Sequence, residues 1–369
     1  MHRYIIKRLL MMIPVIIGVS FLVFFIMDLA PGDAVDLMAP EGATTEELAE
    51  IRHDLGLDKP VVLRYADYMI GMLHGDMGVS YVSKTDVFST YVEKLPATIK
   101  LSFASILVSI LLSVPLGIYS ATKQGSIQDN ISMILAMLGL SMPNFWLGLL
   151  LIIAFSLNLH WFPSGGDQTL SSIVLPAVTI GTGLMATLTR TTRSSMLDVL
   201  KQEYLRTARA KGISEKTVIM SHALRNALIP IITIMGTQLA GVLGGSVLTE
   251  TVFAWPGVGR LIVDSLNMRD TPLVTGSIIM TTILVSIVLL IVDLLYAAVD
   301  PRIKAQYATV KRRKRWLNGK NAPRKQEARW LRYCISSGKI KVRCLAVCSS
   351  LLLYLLLFLQ ISFLITIHR

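Results

Sequence analysis

Residues Glu203–Pro230 read EYLRTARAKGISEKTVIMSHALRNALIP, the longest polar interruption in the second half of an otherwise apolar chain. Leu200, Tyr204, Ala208 and Lys211 recur at helical spacing, which predicts a short helix with one small, apolar face. Gly212 follows as its C′ residue, where a left-handed backbone costs glycine little. Ser214 is placed to cap a second short helix, with Glu215 favourable in its first turn. Val218, Ile219, His222 and Ala223 give that helix its own less polar side. Two short helices about a glycine hinge, held beside a membrane, form a knob that fits a groove on a soluble partner. Spacing alone leaves a second reading open, a solvated basic connector.

Composition sets the surroundings of this loop. The 369 residues are 53% hydrophobic and 16% charged, with a mean hydropathy of +0.59, which places the chain among membrane proteins. A net charge of +12 raises nucleic acid as a partner, but the basic residues sit in loops beside apolar runs. That is the positive-inside pattern, so membrane orientation explains them and no nucleic-acid partner is expected. The three cysteines, Cys334, Cys344 and Cys348, lie near the C-terminus and supply neither a disulfide framework nor a metal cluster to the main body.

Six spans are expected. Leu9–Met27, after Arg3, Lys7 and Arg8, reads as an uncleaved first span with its N-terminus in the cytoplasm. The acidic stretch from Ala30 to Leu95 reads as a small outer subdomain. In it, a helix starts at Thr44 or Thr45 and ends at Gly56, and another covers Val61–Leu73. Ile99–Ala121 is the second span, with Ser and Gly spaced as at helix–helix contacts. Ile131–Leu159 is longer than the about 20 residues a crossing needs, so Pro143 kinks or breaks it. Ile173–Leu188, Ala227–Leu248 and Gly276–Val299 complete the set. The outer loop His160–Ser172 has no Lys or Arg, whereas Arg190 to Arg225 is rich in both, which puts the 203–230 loop on the cytoplasmic side.

The loop carries a resemblance. Ala208, Gly212 and His222-Ala223-Leu224-Arg225 resemble the EAA loop of bacterial ABC importer permeases, the element that grips the ATPase. Arg206 stands where that pattern has Glu, His222 where it has Ile, and Arg225 where it has Pro. These departures, with LGLDKP at 55–60, GDMGVS at 75–80, LPATIKLS at 95–102 and ETVFAWPGVGRL at 250–261, resemble the dipeptide, oligopeptide and nickel permeases. The likeness extends to about residue 304. It implies an all-α, six-helix core of the type I importer kind in a bacterial plasma membrane. It also implies a second homologous permease, two ABC ATPase subunits, an extracytoplasmic solute-binding protein and surrounding lipid. The ATPase-coupling residues implied are Tyr204, Arg206, Thr207, Ala208, Arg209, Ala210, Lys211, Gly212, His222 and Asn226. The expected layout is 1–29 first helix, 30–95 outer subdomain and 96–304 permease domain, with the coupling loop at 197–226.

Further candidates for structure or gating are Pro143, Gly244 and Gly245 for close helix approach, and Glu250, Arg269 and Asp270 near the outer mouth. For the last three a structural ion pair is expected. Asp293 lies in the last apolar run and is expected to pair with a basic residue or a helix N-terminus. As a proton-coupling group it would instead define a secondary transporter, the alternative function. No GxxxxGK[ST], HExxH or GxSxG motif occurs, and no cysteine–histidine cluster has metal spacing, so neither catalysis nor a cofactor or metal site is expected in this chain. Lys311–Arg343 is strongly basic, and Leu345–Ile367 is apolar and long enough to span. The 305–344 linker and 345–367 helix read as a seventh span, as a helix lying against the bundle, or as the product of a reading-frame change.

Overall fold

A computed structural model describes residues 2–29, 35, 43–54 and 56–299. The expected tail elements at 305–344 and 345–367, and much of 30–42, lie outside the described residues. The chain divides into two compact units after Asp293, and the helical bundle belongs to the first.

The order is α1 (His2–Leu29), α2 (Thr45–Asp54), α3 (Val61–Leu73), α4 (Val87–Thr122) and α5 (Ile127–Ser141). Then come α6 (Asn144–Asn158), whose second half is π-helical, α7 (Val174–Leu200), α8 (Glu203–Ala210) and α9 (Glu215–Gly245). The last are α10 (Val247–Val252), α11 (Val258–Asn267) and α12 (Thr271–Val299). Five helices are long and apolar enough to cross a membrane, and α5 with α6 forms a broken sixth, bent by 97°. The break falls at Pro143, whose predecessor Met142 is extended (φ −92°, ψ 128°), as a residue before proline must be.

Contacts settle that the broken pair does cross. Asp129 at the start of α5 is bound to Arg193 near the C-terminal end of α7, whereas Gly148 of α6 lies against Phe253, at the other end of the bundle. An ion pair from Arg8 to Asp293 puts the start of α1 and the end of α12 on one face, which requires an even number of crossings.

The bundle is built around the α4–α7 contact. Along α4, Ser102, Ser105, Ser109, Ser113, Gly117 and Ser120 are all buried. A Cβ on Gly117 would sit 2.9 Å from the Thr189 carbonyl oxygen, and one on Gly181 the same distance from that of Ser105. The two backbones therefore touch, as expected for small residues at membrane helix interfaces. Gly236 on α9 likewise faces Val292 on α12, its absent Cβ 2.7 Å from a Val292 methyl. Gly244 is half-buried and Gly245 exposed at the end of α9.

The small helices follow their caps. Thr44 opens α2 with a reciprocal capping box: its hydroxyl accepts from the Glu47 amide, and its own amide donates to the Glu47 carboxylate at 2.7 Å. Gly56 ends α2 at φ +63°. Helix α3 spans the expected Val61–Leu73 and packs on α1 through Tyr65, which meets Phe21 edge-on at 5.3 Å. Arg64 pairs with Asp28. Helix α4 begins at Val87, capped by Asp86, so the expected boundary at residue 95 falls inside a helix.

Candidate functional site

The 203–230 stretch is docked on the bundle. Helix α8 buries Leu205 and Ala208, and α9 buries Val218, Ala223 and Ala227, in one cluster with Ala121 of α4 and Met196 of α7. Full burial of a leucine is worth about 1.5–3 kcal/mol, so Leu205 anchors α8. The exposed Glu203–Arg206 pair contributes little. Of the expected inner face, Leu200 and Ala208 do pack into this cluster, but Tyr204 and Lys211 do not, and Leu205 takes the central place. Tyr204 is 42% exposed and Lys211 is exposed, because the leucine, not the tyrosine, seats against α7.

Gly212 ends α8 at φ +76°. The Gly212 amide bonds to the Arg209 carbonyl at 2.9 Å and the Ile213 amide to the Ala208 carbonyl at 3.4 Å, the paired pattern of a Schellman turn. Arg209 then reaches over the glycine to Glu215, its guanidinium donating twice at 3.0 and 2.8 Å. That hydrogen bonding raises the Arg209 pKa above its ordinary value. Ser214 occupies the cap position of α9 without bonding a backbone amide. Its hydroxyl meets that of Thr217 at 2.9 Å instead.

Above this turn α9 opens into a π-helical stretch, Val218–Ala223, a local widening common where helices carry function. Three candidates meet there. Asn226 donates to the Tyr204 hydroxyl at 2.6 Å and to the His222 carbonyl at 3.2 Å, and the Tyr204 hydroxyl donates to the same carbonyl at 3.3 Å. The result is a rigid handle of two helices, apolar inward, with Arg206, Thr207, Ala210, Lys211 and Arg225 exposed outward.

Beneath the handle lies an ion pair that sequence reading missed. Arg193 donates to both carboxylate oxygens of buried Asp129 at 2.8 and 2.7 Å. Ser120 and the Gly125 amide donate to the same carboxylate. It ties α4, α5 and α7 together next to the handle.

At the opposite face the expected ion pairs are replaced by other contacts. Glu250 is fully buried. Its carboxylate accepts from Thr98 at 2.9 Å, Ser246 at 2.8 Å and the Arg260 amide at 3.1 Å. An anion at the first turn of α11 needs no counter-cation, since unpaired amides and the helix dipole favour it. Gly257 and Gly259 leave it room, for a Cβ on either would lie 2.4 or 2.9 Å from its Oε2. Burial nevertheless pushes the Glu250 pKa up. Asp270 caps α12 through the Leu273 amide at 3.4 Å and holds the 80–82 turn through Ser80 and the Tyr81 amide. Arg269 is exposed in a left-handed conformation, φ +58°, and makes no ion pair among the described residues. Asp293 is paired with Arg8, as expected of a structural carboxylate.

The fold and site define a multi-pass membrane protein whose helical bundle carries a docked handle on one face. The chain belongs to the family of binding-protein-dependent transport system inner membrane components: that family matches residues 113–305, and the N-terminal region of such membrane components matches residues 1–102. It is 42% identical to the oligopeptide transport system permease protein AppB of Bacillus subtilis, over 82% of this chain and 100% of that one. It is 38% identical to the dipeptide transport system permease protein DppB of Escherichia coli K12, covering 82% and 99%. The glutathione transport system permease protein GsiC of Salmonella choleraesuis is 40% identical, again covering 82% and 99%. Among solved structures, the MetNI methionine ABC transporter in an inward-facing conformation superposes with a TM-score of 0.46 at 20% identity, covering 58% of this chain and 97% of that one. The chain is thus a permease subunit of a binding-protein-dependent transport system, seated in the inner membrane.

Proposed function

We propose that this chain is one of two homologous permease subunits of an ATP-driven ABC importer for peptides. The observation that carries the reading is the docked handle. A rigid two-helix element with an apolar inner face and a basic outer face can take a push from a soluble ATPase and pass it to α4 and α7. The α8 residues Tyr204, Arg206, Thr207, Ala208, Arg209 and Ala210, with Lys211, Gly212, His222 and Asn226, are the coupling set. Within it Arg206 and Lys211 touch the ATPase, while Ala208 and the Tyr204–Asn226 brace keep the handle stiff.

The names of the relatives favour short peptides over nickel chelates as cargo. Solute choice rests with an extracytoplasmic binding protein that docks at the face carrying α2, α3 and α11. The N-terminus and the handle share the cytoplasmic face, in keeping with the Lys/Arg bias and with Arg8 meeting Asp293. The outer part runs from residue 30 to the start of α4 at Val87, in place of the expected boundary at 95, and the permease domain follows to residue 304. ATP hydrolysis belongs to the partner subunits. Their closure switches the paired bundles between inward- and outward-facing states as rigid bodies.

Cysteine cross-linking from position 206 in intact membranes tests this reading. A specific adduct with the ATPase subunit is expected, and labelling of that position by an impermeant reagent from the outer side would end it. Position 208, being buried in the handle's core, is unsuited to that experiment.

A further inference from the structure

On the face opposite the handle, a hollow of about 330 Å³ is lined by Glu93, Lys94, Lys100, Asp167, Trp255 and Pro256, among others. Glu93 and Lys94 neutralise each other at 2.7 Å. Lys100 and Asp167 have no such counter-charge, for neither makes an ion pair among the described residues. The Lys100 ammonium instead stands 5.8 Å from the centre of the Trp255 ring, a distance at which the ring face attracts a cation. That ring is a fixed platform: Trp255 is fully buried and its indole N–H donates to the Ala97 carbonyl at 2.9 Å.

Lys100 belongs to the span Val87–Thr122. Lys100 and Asp167 are both exposed, and a charged side chain in a span faces a watery cavity or protein, not acyl chains. An exposed cation and an exposed anion, neither in an ion pair among the described residues, line one small cavity and match a ligand that carries both charges at its ends. The volume lies at the low end of small-molecule sites, roughly 300–1,000 Å³.

Resting on the peptide reading of the transporter, we infer that this hollow is a receiving site on the translocation path for a short zwitterionic peptide. Lys100 takes the terminal carboxylate and Asp167 the terminal ammonium. Both are binding residues outside the coupling set.

The test uses the whole transporter, with both permeases, ATPases and binding protein, in proteoliposomes carrying radiolabelled dialanine. With the binding protein saturated, Lys100→Gln and Asp167→Asn should each lower maximal uptake about tenfold, the loss expected for one charge-assisted contact. Stimulation of ATP hydrolysis by the loaded binding protein should persist, and Lys100→Arg should restore uptake. In a Lys100→Cys variant, dialanine should slow labelling by a charged thiol reagent. Wild-type uptake in both neutral variants would overturn the site. So would a parallel loss of ATPase stimulation, which would assign the surface to docking of the binding protein. Failure of the unaltered transporter to take up any dipeptide would overturn the peptide reading itself, and with it this site.

Discussion

Arg193 grips buried Asp129 with two parallel hydrogen bonds, 2.8 and 2.7 Å long, across 64 residues of sequence. Removing Asp129 leaves Arg193, whose side chain keeps 27% exposure, together with Ser120 and the Gly125 amide without their acceptor, a cost of up to about 3–5 kcal/mol. Asp129→Ala should therefore lower the thermal unfolding temperature of the purified protein sharply. Replacing both residues with apolar side chains of similar volume should recover much of the loss. Equal melting of wild type and Asp129→Ala would show that the pair carries no such weight.

Gly212 offers a cleaner probe of coupling. A Cβ there would meet nothing within 4 Å, yet φ is +76°, so a side chain brings backbone strain and no clash. The strain is about 1–2 kcal/mol for an ordinary residue, more for a β-branched one and less for asparagine. Gly212→Val should leave membrane insertion intact while raising the ATP hydrolysed per solute imported, with Gly212→Asn intermediate. A Val variant with the wild-type ratio would mean that the turn does not transmit the stroke.

These two sites mark what could be read from sequence. Gly212, the Pro143 break, the Thr44 cap and the Val61–Leu73 helix were legible because their causes are local, set by residues within a turn or two. The α8 face was read in part: Leu200 and Ala208 turn inward as expected, but a helix of eight residues has too few turns to choose between Tyr204 and Leu205. The ends of α4 and α7 decide it, by seating Leu205. Asp129 with Arg193, and Glu250 with Thr98 152 residues away, were illegible because each needs a partner that only the folded bundle brings near. The ion pairs expected at Glu250 and Asp270 failed for the same reason: helix N-termini, not cations, receive those carboxylates.

Helix crossings allow a paired test. A Cβ on Gly139 would lie 2.4 Å from the Thr182 carbonyl oxygen, whereas one on Gly18 would meet nothing within 4 Å. Gly139→Ala must push α5 off α7 and should cost about 1–3 kcal/mol. Gly18→Ala should be neutral or slightly stabilising, because alanine is the better helix former by about 1 kcal/mol. Unfolding in a mild detergent, followed by heating, distinguishes the two. Equal stability of both variants would deny that α5 and α7 touch through backbone.

Glu250 gives a pH dependence whose sign follows from its burial. Its pKa is raised above the ordinary 4.5, so the folded protein holds this proton more tightly than the unfolded chain does. Between the two values the unfolded state binds fewer protons, and stability falls as pH rises. The group's favourable contribution is complete below the ordinary value and is lost as pH climbs through the folded one. Wild type should therefore lose melting temperature over the pH range just above 4.5 relative to Glu250→Gln, which has no proton to release. The glutamine amide cannot accept from the Arg260 amide on its nitrogen side, so that variant also starts from a lower stability. The diagnostic quantity is thus the difference in slope with pH, not the offset. Parallel curves for the two proteins would show that the donors around the carboxylate outweigh its burial and keep it ionised at no cost.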